Sequence, residues 1–219
     1  MLRYVILAVL AVYVFAQNKH CCFPRKWEAR GVVNQALVKN GTPAMVHADV
    51  FISYDASRKM VALNQTVKVA NRTIVIRTIE DFDKNIAYVI SSPEVCNKTN
   101  ISSKFADGCV PDSAKALGHV MLGYGADKAN VKSFALNASG FDVILTVTSE
   151  SCAPISETIT GFDNKTKLHI YQTFGLYNMT PGVRNESVFH IPDACHKKNA
   201  TGAWHQHGSV IGKRSYELL

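Results

Sequence analysis

After its first sixteen residues the chain has no apolar run long enough to cross a bilayer, which takes roughly 20 residues. The most apolar later stretch, Phe141 to Val147, is broken by Asp142 and Thr146. Also missing are the Gly-x-Ser-x-Gly elbow, the His-Glu-x-x-His helix and a Gly-rich loop ending in Lys-Ser/Thr. These spacings set up an activated serine, a zinc-bound water and a phosphate cradle, so the chain reads as a non-enzyme. Gly123-Tyr124-Gly125 lacks the third glycine and the preceding strand of a nucleotide loop and reads as a turn. The absence of Cys-x-x-Cys and His-x-x-x-His pairs argues against a zinc site. Helical periodicity is scarce: Ser113 to Leu122 is the one segment expected to form a short helix, weakened by Gly118 and Gly123. There is no internal repeat, low-complexity tract or interdomain linker. The formal charge of +7 carries no Lys/Arg run interleaved with aromatics, so no nucleic-acid partner is indicated.

What is present points to the secretory pathway. Arg3 followed by the apolar Tyr4–Tyr13 and a small-residue ending at Ala16 reads as a signal peptide over residues 1–16, with the mature chain starting at Gln17. Behind it lie ten Asn-x-Ser/Thr acceptors: Asn40, Asn64, Asn71, Asn97, Asn100, Asn137, Asn164, Asn178, Asn185 and Asn199. Six cysteines, Cys21, Cys22, Cys96, Cys109, Cys152 and Cys195, are an even set for an oxidising compartment and read as three disulfides. Counting alone leaves about 15 connectivities open. Adjacent Cys21 and Cys22 do not suit each other geometrically, so they are expected to tie the amino-terminal segment to two distant places. The product is read as secreted, with the lysosomal lumen as the alternative compartment.

The dominant pattern has period two, bounded by Asn, Asp, Gly and Ser. Val46, Ala48, Val50, Ile52 and Tyr54 alternate with polar neighbours, Phe51 being the one exception, Asp55–Arg58 is a turn, and Lys59–Val69 returns as the second arm of a hairpin. Thr73–Ile79 and Ile86–Ile90 make another. Val131–Leu136, Phe141–Val147, Ile155–Thr160 and Leu168–Phe174 follow, with turns at Asn137–Gly140 and Gly161–Asn164. The fold class is therefore mainly β, antiparallel, with little helix, in one domain that hides its strand edges as a sandwich or barrel.

Four blocks carry a resemblance. They are Cys21-Cys22-Phe23-Pro24-Arg25-Lys26-Trp27-Glu28, Ser53-Tyr54-Asp55 with Arg58, Ser151-Cys152-Ala153-Pro154-Ile155, and Val188-Phe189-His190-Ile191-Pro192-Asp193-Ala194-Cys195. In this order the chain resembles the ependymin family, over the mature sequence to about Lys198. The resemblance implies two antiparallel sheets in a curved sandwich or half-open barrel similar to bacterial lipoprotein carriers, over residues 17–198. It also implies homodimers, an apolar pocket for lipid-like molecules, and links to calcium and to cell-matrix adhesion. Cys21 would pair with Cys152 and Cys96 with Cys195, leaving Cys22 and Cys109 to each other, a pair that departs from the vertebrate pattern.

Candidates for the pocket face are Val143, Leu145 and Val147 on one strand and Leu168, Ile170 and Phe174 on another. Covering such a face with an acyl chain gains roughly 25 cal/mol per Å² buried. Periodicity does not distinguish a cavity lining from an ordinary core, so both readings stay open. Glu80, Asp81 and Asp83 fit no EF-hand spacing and read as a solvated turn. No cofactor is expected, with calcium raised only by the resemblance and no metal ligand assigned. The tail 199–219 is basic and reads as flexible; together with His196 it brings His205 and His207, and the dibasic Gly212-Lys213-Arg214 stands near its end. The leading function is a secreted glycoprotein binding hydrophobic ligands. The alternatives are an adhesive matrix protein whose interior is simply filled, and a hydrolase of unrecognised type.

Overall fold

The computed structural model describes residues 21–196 apart from 70–71, 92–94, 102–103, 106–107, 139 and 165–166. The leader, the tail beyond His196, Asn71 and Asn199 lie outside the described residues. Eleven strands follow one another: β1 Lys26–Lys39, β2 Thr42–Asp55, β3 Met60–Val69, β4 Arg72–Asp81, β5 Ile86–Ser91, β6 Val95–Asn100, β7 Lys115–Tyr124, β8 Asp127–Ala138, β9 Phe141–Thr148, β10 Pro154–Asp163 and β11 Leu168–Pro181. Two 3-10 turns, Glu186–Phe189 and Asp193–His196, close the described chain. The antiparallel, mainly β class expected from the alternation is what the chain adopts. Rather than two separate sheets, the strands run as one, in the order β6-β5-β4-β3-β2-β1-β11-β10-β9-β8-β7, because β1 bonds β2 on one side and β11 on the other.

Register decides which side chains share a face, since directly paired residues point the same way. Val33 pairs with Ala48 and Phe174, Ala48 with Val67, and Phe174 with Glu157, which pairs in turn with Leu145. That inner face is buried from β1 to β4 and from β9 to β11. Side chains from both halves, Leu145 and Phe174 as well as Leu63 and Ile76, belong to one apolar cluster. A sheet this wide buries one face without a helical layer by curling onto itself, which its twist favours.

One end of the inner face is stoppered by the segment between β6 and β7. Phe105 stacks on Tyr54 at 5.5 Å between ring centroids, Tyr54 stacks on Trp27 at 5.5 Å, and Phe105 meets Phe82 edge-on at 5.2 Å. Ile101 and Val110 are buried beside them. The Phe23 amide donates to the Gly108 carbonyl and the Val110 amide to the Cys21 carbonyl, flanking the Cys22–Cys109 disulfide. Cys21–Cys152 ties the same end to the β9–β10 turn. Cys96–Cys195 holds the carboxy-terminal segment against the outer side of β4–β6, where Ile79, Tyr88 and Ile90 are buried with it.

The helix expected over Ser113–Leu122 is not formed. Lys115–Tyr124 is edge strand β7, paired with β8 through a bulge at Ala116–Gly118. Gly118 and Gly123 take φ of 132° and 101°, values outside the right-handed helical region. Hydrogen bonding to β8 and the bulge outweigh the weak helical spacing of Ala116, Val120 and Met121. Gly123-Tyr124-Gly125 does lead into the β7–β8 turn.

Candidate functional site: the inner face of the curled sheet

Two apolar clusters line the inner face on the β8–β11 side. Val143 and Ile170 are buried with Phe141 and Ile159, and Leu168 packs half-buried against them. Leu145, Val147 and Phe174 belong to the large cluster that reaches across to β4. The six residues proposed as a pocket lining thus share one face but divide between two clusters. Glycines shape the surface at two points. A Cβ on Gly31 would stand 2.5 Å from the edge of the Phe174 ring, and one on Gly161 would stand 2.7 Å from the Phe141 ring. Each phenyl lies over bare backbone on a neighbouring strand, filling the gap that the missing side chain leaves.

Polar side chains sit where the clusters meet. Gln35 on β1 pairs with Gln172 on β11, and its amide donates to the Gln172 side-chain carbonyl at 3.1 Å in the interior. One register step away Glu157 lies between Leu145 and Phe174, followed on its own strand by Ile159. Glu157 is 2% exposed, and both carboxyl oxygens, like the side-chain carbonyl of Gln35, have no hydrogen-bond partner among the described residues. Burial pushes its carboxyl well above the usual carboxylate range, because a charge without a partner is poorly solvated there. Protonated, it offers one O–H donor and one carbonyl acceptor; ionised, it offers acceptors alone.

Sequence reasoning passed over these groups. Glu157 occupies an inward position in the Ile155–Thr160 run, between Ile155 and Ile159, and a carboxylate in the phase of a buried alternation was the available signal. Gln35 was hidden because β1 was not recognised as a strand.

The four blocks that carried the resemblance gather elsewhere, as a clasp at the stoppered end and on the outer side. Asp55 is buried, 3.3 Å from the Lys26 ammonium and 3.7 Å from the Arg58 guanidinium. Burial alone would raise its carboxyl, but hydrogen bonding from Ser57, the charge of Lys26 and the Arg58 amide hold it below the usual range. Lys26 and Arg58 both ion-pair with Glu186, and Arg58 lies 5.8 Å over the buried Phe189 ring. Arg77 donates to the carbonyls of Ser187, Val188 and His190 at 3.3, 2.9 and 3.1 Å. Glu28 meets Arg184 at 3.2 Å. These contacts fasten the carboxy-terminal segment to the sheet and leave the inner face to other residues.

Of the glycan acceptors, Asn40, Asn64, Asn100, Asn137, Asn164, Asn178 and Asn185 are exposed, whereas Asn97 is buried. Among the described residues no three His, Cys, Asp or Glu side chains converge as a metal site, Glu80, Asp81 and Asp83 included, and no helix is long and apolar enough to cross a membrane. On the free edge, Leu117, Val120, Met121, Leu122 and Tyr124 are exposed.

The fold and this face define a class: a disulfide-fastened antiparallel protein with an apolar inner surface inset with buried polar groups. The chain belongs to the Ependymin family, whose model matches residues 70–195. It is 28% identical over 197 residues to Ependymin-related protein 1 of Haliotis asinina, across 85% of this chain and 95% of that protein. Among solved structures it is similar to an uncharacterized conserved protein from Thermus thermophilus, with a TM-score of 0.47 and 11% identity over 81% of this chain and 88% of that one. A putative outer membrane lipoprotein-sorting protein domain from Vibrio parahaemolyticus has a TM-score of 0.31 and 8% identity, over 81% of this chain and 94% of that one.

Proposed function

We propose that this protein is a secreted glycoprotein that holds a hydrophobic, lipid-like ligand against the inner face of its sheet, without catalysing a reaction on it. The observation that carries the reading is the composition of that face. A face built only as a closed core has no use for Glu157 and the Gln35 carbonyl without partners, since each polar group buried in this way costs about 1 to 3 kcal/mol. A surface that receives an amphiphile needs apolar walls together with a few polar groups that orient it. Secretion is supported by the leader over residues 1–16, the sequons and three disulfides, which persist in oxidising compartments. Residues 17–198 form the binding domain in this reading, and residues 199–219 an appended tail.

The test is native mass spectrometry of the protein secreted from animal cells and enzymatically deglycosylated, followed by organic extraction. A discrete lipid-sized adduct, lost when Leu145 or Ile170 is replaced by a bulky polar residue in a protein that still folds, is the expected result. A clean polypeptide mass with no uptake of offered fatty acids, alcohols, amines or phospholipids refutes the reading.

A second reading, adhesion to matrix or to a second copy of the chain, is favoured by the exposed apolar side chains of edge strand β7. An unpaired edge of this kind invites strand addition. Saturable matrix binding that is lost on changing Val120→Lys would support it. No calcium role is part of either reading.

A further inference from the structure

The buried acids of the described residues divide by face. Those on the outer side each meet a cation: Glu28 has Arg184, Asp55 has Lys26, and Asp81 has Lys84 at 2.7 Å. In the inner phase, Glu80 and Asp163 stand at or near the ends of their strands and each engage another group. Glu157, deeper in the face, meets Leu145 and Phe174 along its row instead, with Ile159 next on its own strand. No Lys or Arg is among the buried described residues. The nearby polar pair, Gln35 and Gln172, already shares a hydrogen bond.

We propose that Glu157 is the head-group anchor of the inner-face site, and that the site takes an amphiphile whose polar end is an amine in preference to a carboxylate. This inference rests on the hydrophobic-ligand reading and adds the ligand's polar chemistry to it. An ammonium carries three donors and a positive charge, so it satisfies both free oxygens of Glu157 and balances the charge of the ionised form. A hydroxyl fills one position and does not compensate the charge of the ionised form. A ligand carboxylate brings its own negative charge into an apolar enclosure with no buried Lys or Arg among the described residues, and against ionised Glu157 the like charges repel as well. The side-chain carbonyl of Gln35, also without a partner, is a further acceptor suited to a donating head. The apolar stretches on either side of Glu157, Phe141–Val143–Ile170 and Val33–Phe174, supply surface for a chain once the head is fixed.

The experiment titrates the full secreted protein by calorimetry with dodecylamine, dodecanol and dodecanoic acid, each below its micelle concentration and near neutral pH. These three probes share a chain and differ only in the head. The expected result is an affinity for dodecylamine at least about tenfold above that for dodecanoic acid, with dodecanol between them, since one charge-assisted contact is worth about that factor. Glu157→Gln should bring the three within about twofold while the alcohol still binds. Equal affinities in the wild type, a preference for the acid, or an amine preference surviving in Glu157→Gln each overturn the anchor while leaving the carrier reading standing. Failure of all three probes to bind refutes the carrier reading and the anchor with it. The wild-type ranking needs no variant, so the proposal is decided even where Glu157→Gln does not fold.

Discussion

Replacing Gly31 by alanine tests the packing of the inner face more sharply than removing a large side chain. In a strand, glycine is ordinarily the poorer residue, and alanine would gain about 0.5 to 1 kcal/mol from reduced unfolded-state freedom. Here the added Cβ falls 2.5 Å from Cε2 and 3.1 Å from Cζ of Phe174. The ring, almost fully buried, must tilt into neighbours that include Glu157 and Val33 on its row. Overpacking of this kind costs about 1 to 3 kcal/mol. Phe174→Ala alone should cost about 3 to 5 kcal/mol. In that background the clash with the ring is gone, and only the Gly175 carbonyl at 3.1 Å remains close to the new methyl. Gly31→Ala should then be neutral or slightly stabilising. The backbone gain is common to both backgrounds, so the two changes should couple by the clash alone, about 1 to 3 kcal/mol, read by urea denaturation of the wild type, both single variants and the double variant. Additive costs would show that Phe174 does not rest on Gly31 and that the register drawn between β1 and β11 is wrong.

Two further outcomes follow from the buried polar groups. The Glu157 carboxyl is raised by burial in the folded chain and ordinary in the unfolded one. The folded state therefore holds the extra proton above the ordinary value, and the stability this group contributes is complete in acid and is lost as pH rises through the window up to the raised value. Glu157→Gln should match the wild type in acid and exceed it increasingly towards neutral pH, by up to about 1.4 kcal/mol per pH unit within that window; a difference in urea midpoint that does not vary with pH would contradict this. Asn97, 8% exposed on the inner side of β6, should carry no glycan while exposed Asn100 does, and glycopeptide mapping that finds Asn97 occupied would show that β6 is placed wrongly.

The alternation made most of the sheet legible. The hairpins β2–β3 and β4–β5 and strands β8 to β11 stand where period two placed them, because their apolar residues keep one phase, even where the carboxy-terminal segment also buries the outer side of β4–β5 and where β8 is mostly half-buried. Strand β1 escaped notice because it is central, bonded on both sides, and its apolar residues come in adjacent pairs such as Val32-Val33 and Ala36-Leu37 that blur the phase. Strand β7 was mistaken for a helix because it is an edge whose side chains are all exposed, so no inside-outside pattern is written into it. At the site, the apolar residues could be read from their phase, but the polar insets could not. What makes Glu157 unusual is what lies on the strands to either side, and that depends on pairing across the sheet. The blocks most recognisable in the sequence turned out to fasten the chain, since a clasp of ion pairs and disulfides demands particular residue types, whereas an apolar wall accepts many.

The order of the strands has a consequence for how this molecule comes into being. Every neighbouring pair in the sheet is consecutive along the chain except β1 and β11, whose meeting joins residues such as Gln35 and Gln172, 137 positions apart. Two meanders, β1–β6 and β7–β11, can each zip up through short turns, but the seam between them waits for the last strand to be made. Non-local pairing of this kind is slow because the loop must close before any contact rewards it. Until then the first strand leaving the ribosome keeps one edge unpaired and its apolar side uncovered. A nascent chain truncated before Leu168 would hold most of the sheet yet lack its keystone, and would keep that open seam until the last strand arrived.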